Sequence, residues 1–143
     1  MNGGDRRTVV DTGPLVALLS RSDQYQHWAR EVFAALTPPV FTCEAVLSEA
    51  QLLVHARGGN PSAVLEMVQR GVLRVDFELE DQVARLLELQ RAYANVPMSL
   101  ADACLVRMTE LHDHCRVMTT DSDFRIFRRN RRQIIPLLAP PDI

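Results

Sequence analysis

Apolar residues recur along this chain in two rhythms, and the two alternate. Short solid runs such as Thr8-Val9-Val10 and Val117-Met118 read as strands buried on both faces. Between them lie longer stretches with apolar positions three and four apart, the spacing of amphipathic helices. Arg7–Val10 is predicted to be a short strand, followed by the apolar run Leu15–Leu19. A helix begins near Ser22, with Trp28, Val32 and Phe33 on one face, and stops before Thr37-Pro38-Pro39. Val40-Phe41 is a brief strand leading to a helix from about Cys43 to Ala56, ended by Gly58-Gly59.

Asn60-Pro61 pairs a capping residue with a proline at the first helical position, and Gly71 is the matching stop. Val72–Phe77 reads as a strand, and Glu80–Tyr93 as a helix with Val83, Leu86, Leu87 and Gln90 at helical spacing. Ser99 caps a helix to about His112, Arg116–Thr119 is a strand, and a short helix begins near Ser122. Gln133–Leu138 is a last edge strand before Pro140-Pro141. Strands alternating with helices of this length imply a mainly parallel sheet covered on both faces. No repeat or long linker divides the chain, so residues 1–143 form a single expected domain.

Composition narrows the function. No apolar run approaches the ~20 residues of a membrane span. Met1–Arg7 lacks the apolar middle of a secretion signal, so a cytoplasmic location is expected. Cys43, Cys104 and Cys115 have no metal-ligand spacing and read as reduced thiols in or near the core. The four histidines make no zinc set either. All 16 basic residues are arginine. Without lysine, P-loop nucleotide binding and Schiff-base chemistry are excluded. Net charge is −2, yet Arg125, Arg128, Arg129, Arg131 and Arg132 crowd into one short segment. That run suits phosphate recognition, as RNA backbone contact, and equally well a partner surface.

Four acids interrupt this apolar framework. Asp11 closes the first strand and Asp121 closes Val117–Thr120, both where parallel sheets build their sites. Asp11 in Asp11-Thr12-Gly13-Pro14 is also good turn chemistry. Asp102 occupies the fourth position of a capping-box-like start, Ser99-Leu100-Ala101-Asp102. Glu49 falls between Leu52 and Leu53 on a helical wheel, within an arc carrying Val46, Ala50 and Val54, where an unpaired carboxylate is costly. Glu44 projects to the polar side. Carboxylates converging from separate elements suit a hard cation such as Mg²⁺, and hence phosphate chemistry.

Taken in order, these segments resemble the PIN-domain family, particularly small bacterial VapC-type toxins. Val9-Val10-Asp11-Thr12 resembles the opening strand and its acid, and Thr42–Glu49 the helix bearing the second acid. Ser99-Leu100-Ala101-Asp102-Ala103 resembles the third motif and Val117–Phe124 the fourth. The resemblance implies a three-layer α/β/α sandwich and metal-dependent hydrolysis of RNA phosphodiesters. It implies Asp11, Glu49, Asp102 and Asp121 as catalytic metal ligands for Mg²⁺ or Mn²⁺, Asp123 in their outer sphere, and Thr12 and Thr119 as hydrogen-bonding supports. It further implies a homodimer silenced by a cognate antitoxin. Gly13 departs from the family pattern, which has a polar residue there.

Two other readings compete. A phosphatase or receiver-like phosphoacceptor with Asp11 as nucleophile wants a lysine, which is missing, and a second aspartate where Gly13 stands. A catalytically weak PIN-like module that binds RNA or a partner accounts for the fold without turnover.

Overall fold

The computed structural model describes residues 6–143, so most of the segment read for a secretion signal lies outside the described residues. Strands β1 (Arg7–Val10), β2 (Val40–Thr42), β3 (Leu73–Val75), β4 (Cys115–Met118) and β7 (Leu137–Leu138) form one sheet in the order β3-β2-β1-β4-β7. Every neighbour pair in it is parallel. Helices α1 (Thr12–Leu19), α2 (Gln26–Ala35), α3 (Glu44–Ala56), α4 (Ser62–Gln69), α5 (Val83–Ala92) and α6 (Leu100–Glu110) supply the crossovers and flank the sheet. None of the helices is long and apolar enough to cross a membrane.

The expected sandwich is therefore present, and its centre is the most apolar part of the chain. Val9, Val10, Val117 and Met118 on the two central strands are fully excluded from water. Burial of each contributes roughly 1.5–3 kcal/mol. The chain runs outward through β1, β2 and β3, then returns past β1 to lay β4 on its other side. The strand order thus reverses between β1 and β4, the switch point beyond whose C-terminal strand ends parallel sheets place their sites. Val10 is in register with Met118, so the residues that follow, Asp11 and Thr119, emerge side by side at that sheet edge.

Local chemistry explains where elements differ from their predicted limits. The helix expected from Ser22 starts at Gln26, because Asp23 accepts the Tyr25 N–H at 2.8 Å and holds the preceding residues in a turn. Gly71 ends α4 at a φ of +79°, the left-handed conformation glycine adopts without a Cβ penalty. The predicted helix 80–93 opens as a 3₁₀ turn, Leu79–Gln82, and buries Leu86 and Leu89. Val83 and Leu87, expected on its inner face, are exposed. The predicted final strand splits. Leu137–Leu138 joins the sheet edge, whereas Gln133–Ile134 (β6) pairs antiparallel with Arg128–Arg129 (β5). Positive φ at Asn130 and Arg131 makes that reversal. All three cysteines are free and buried, as predicted. The hydrogen-bonding neighbour Cys104, and then burial, push the Cys43 pKa upwards.

Candidate metal-binding acid site

Asp11 lies just past the C-terminal end of β1. Its backbone is extended, it caps α1, and its own N–H donates to the Met118 carbonyl at 2.9 Å. One carboxylate oxygen, Oδ1, accepts the Thr12 N–H at 2.7 Å, and Oδ2 accepts the Thr119 hydroxyl at 2.8 Å. Only 7% of Asp11 is accessible, and no arginine forms an ion pair with it among the described residues. Burial raises its pKa from 3.8 to about 7. The two hydrogen bonds offset part of that rise, while the charges of Asp102 and Asp121 add to it.

Thr119 joins this acid to the next. While its hydroxyl donates to Asp11, it accepts the Asp121 N–H at 2.9 Å. Asp121 Oδ1 in turn accepts the Asp123 N–H at 2.9 Å and caps the 3₁₀ turn Ser122–Arg125. One threonine just past β4 thus holds the Asp11 carboxylate and the Asp121 backbone. The predicted support role of Thr12 is exercised by its backbone. Its hydroxyl is buried without a hydrogen-bond partner.

The close packing beneath these acids accounts for the departure at position 13. A Cβ built on Gly13 would stand 2.1 Å from the Thr120 Oγ, well inside contact distance. Glycine here leaves room for the Thr120 hydroxyl, which a side chain at position 13 would force to turn away.

Asp102 enters from the first turn of α6 in a complete capping box: Ser99 Oγ accepts the Asp102 N–H at 3.0 Å, and Asp102 Oδ2 accepts the Ser99 N–H at 3.1 Å. The cap engages Oδ2 and leaves Oδ1 available. Partial burial raises the Asp102 pKa, with the charges of Asp121 and Glu49 acting in the same direction. Asp11, Asp102, Asp121 and Glu49 therefore share one electrostatic neighbourhood.

Glu49 arrives there by a different route from the one its spacing suggested. It is exposed on α3, as are Leu52 (69%) and Leu53 (41%). The core ridge of α3 is Val46, Leu47, Ala50 and Val54, narrower than the predicted arc, so Glu49 sits outside it. Its carboxylate reaches the acid neighbourhood from the solvent side. Glu44 is exposed, as expected. Asp123 is half-buried, and its N–H fixes Asp121.

The donor set is all carboxylate and hydroxyl oxygen, converging on a buried acid with no basic counter-ion. That composition fits a hard divalent cation. Among the described residues, no three of the acids form a ready-made cage.

The arginine run divides once placed in the fold. Arg129 is only 8% exposed and donates to the carbonyls of Thr109, His112 and Asp113, closing the C-terminal end of α6. It is not a surface cation, so the run does not offer all five arginines to RNA or a partner as expected. Arg128 donates to carbonyls of its own turn, and Arg125 to the Ile143 carbonyl. Arg131 lies 3.4 Å from Glu88. Arg132 is exposed.

A family model described as PIN domain matches residues 8–130, a span containing all the acids above. Among solved structures, the chain resembles Mycobacterium tuberculosis VapC20, a toxin that cleaves the sarcin-ricin loop. The TM-score is 0.76 and the sequences are 23% identical, over 90% of this chain and 99% of that one. No curated protein gives a significant match.

Proposed function

The chain belongs to the PIN-domain family, and we propose that it is a metal-dependent ribonuclease of the VapC type, acting as the toxin of a toxin–antitoxin pair. One observation carries the reading. Asp11 is buried without a cationic partner, yet lies within the field of Asp102 and Asp121 and is held by the same threonine that fixes Asp121. Burying like charges together is unfavourable unless a cation joins them.

Asp11, Asp102 and Asp121 would hold Mg²⁺ or Mn²⁺, with Glu49 and Asp123 at its margin. The bound ion supplies a more acidic coordinated water and positive charge against the phosphate oxygens. The chain's own residues prepare for that. Thr119 and the Thr12 N–H orient the two Asp11 oxygens, and the Asp123 N–H orients Asp121. The capping box holds Asp102 in the first turn of α6 with one oxygen uncommitted. Such preset ligands need little reorganisation when substrate arrives.

By the same reading the substrate is RNA, the regulatory partner is a cognate antitoxin protein, and the active form is a homodimer. Cleavage of an RNA panel with Mg²⁺, with Mn²⁺ and with EDTA, comparing wild type with Asp11→Asn, tests the activity. A sarcin-ricin-type loop belongs in that panel because of the VapC20 likeness. Metal-dependent cleavage lost in Asp11→Asn is expected. Cleavage in EDTA, or cleavage unaffected by Asp11→Asn, overturns the proposal. Binding without turnover on every RNA would assign the chain as a binding module.

A further inference from the structure

Arg6, Arg7 and Arg116 converge with His112 on an open cavity of about 560 Å³, walled in part by Thr8 and Phe41. It lies at the N-terminal ends of β1, β2 and β4, the sheet edge opposite the acids. The length of β1 separates Arg7 from Asp11, roughly 13 Å at the usual strand rise.

Two of the cations are held in place by the fold. Arg7 reaches Asp76 at 2.9 Å, and its guanidinium lies 3.7 Å over the Phe41 ring. Arg116 donates through Nε to the Thr8 hydroxyl at 3.1 Å. Its remaining guanidinium N–H groups have no partner among the described residues. Burial, reinforced by the positive charge of Arg6, lowers the Arg116 pKa. Neither Arg6 nor Arg116 forms an ion pair with a described residue. His112 Nδ1 is buried and also unpartnered. Asp76, Glu78 and Asp81 line an adjoining cavity that shares Arg7 and His112 with this one, and none of them lines the first.

Arg6 and Arg116 stand beside Arg7 with no carboxylate partner among the described residues, an arrangement that favours an anion joining them. Several guanidinium forks around one cavity suit tetrahedral phosphate, which offers more acceptor oxygens than a single carboxylate. The volume lies in the range that accommodates a nucleotide. We propose that this cavity is a second phosphate-binding site, which grips the backbone of an RNA strand at the sheet edge opposite the acid site. The choice of RNA as the source of the phosphate rests on the ribonuclease reading; the anion site itself does not.

The test is fluorescence anisotropy with a labelled single-stranded RNA of about a dozen nucleotides, in EDTA so that no strand is cut, across a salt series. Arg6→Gln/Arg116→Gln is expected to weaken binding about tenfold and to flatten the salt dependence by roughly 1.4, at about 0.7 for each phosphate no longer neutralised. Arg6→Gln alone, at an exposed residue preceding β1, is expected to flatten it by roughly 0.7 with the fold undisturbed. Arg91→Gln, on the exposed side of α5, controls for net charge and is expected to match wild type.

Wild-type affinity for RNA, inorganic phosphate and nucleotide alike in both cavity variants, with unchanged circular dichroism, overturns the site. Parallel titrations with inorganic phosphate and a nucleoside monophosphate separate the sources. If the variants lose nucleotide binding while RNA affinity holds, the assignment to RNA is overturned. The two proposals fail separately. RNA cleavage without arginine-dependent binding sinks this site alone, and arginine-dependent binding without cleavage sinks the ribonuclease reading alone.

Discussion

Replacing Asp11 with asparagine is expected to stabilise the metal-free protein while abolishing cleavage, and the stabilisation should depend on pH. The folded-state pKa is raised from 3.8 to about 7. Ionised Asp11 is therefore unfavourable in the folded chain. Its cost is absent below pH 3.8, grows as pH rises through the interval, and is complete above about 7. At about 1.4 kcal/mol per pH unit, that gap corresponds to about 4 kcal/mol at pH 8. Asparagine keeps an acceptor for the Thr12 N–H but presents an amide to the Thr119 hydroxyl, which already accepts the Asp121 N–H. Losing that acceptor costs about 1 kcal/mol. The net expectation at pH 8 in EDTA is a variant more stable by about 2–3 kcal/mol, the difference narrowing to zero or reversing near pH 4. Urea unfolding followed by circular dichroism between pH 4 and 8 measures it. A difference that is flat with pH, or a variant less stable than wild type at pH 8, would refute the claim that Asp11 is an uncompensated buried acid.

Mg²⁺ or Mn²⁺ at about 100 times its dissociation constant should stabilise wild type by about 2.7 kcal/mol in thermal unfolding, and Asp11→Asn and Asp102→Asn should lose most of that gain. Arg129→Ala should cost about 3 kcal/mol in urea unfolding, because it uncaps the carbonyls of Thr109, His112 and Asp113; Arg132→Ala should stay within about 0.5 kcal/mol. Gly13→Ala should destabilise by about 1 kcal/mol or more through its clash with the Thr120 Oγ, and Gly13→Ala/Thr120→Ala should recover most of it, a coupling read by a double-mutant cycle. Glu49→Gln should leave urea stability within about 0.5 kcal/mol of wild type, since it sits outside the core ridge, yet slow RNA cleavage.

The alternation of solid apolar runs with helical stripes by itself determined the parallel α/β architecture. Only a strand buried on both faces tolerates Thr8-Val9-Val10 or Val117-Met118 without a polar side. The caps were legible for the same local reason: Ser99 with Asp102 and Gly71 at its turn act within a few residues of themselves. Glu49 shows where local reading stops. Periodicity placed it among apolar neighbours, but whether Leu52 and Leu53 face the core or water depends on what packs against α3, and a helical wheel holds no information about its neighbours. Arg129 shows the same limit. Five arginines in sequence look alike, and only the tertiary fold distinguishes the one that reaches under α6 to its carbonyls. The link from Asp11 through Thr119 to Asp121, and the meeting of Arg6, Arg7 and Arg116 at the opposite edge, likewise join residues about a hundred positions apart. Sequence could put an acid after a strand. Strand order and register decided which acid it would stand beside, because the electrostatic cost of a buried charge depends on what lies a few ångströms away in space.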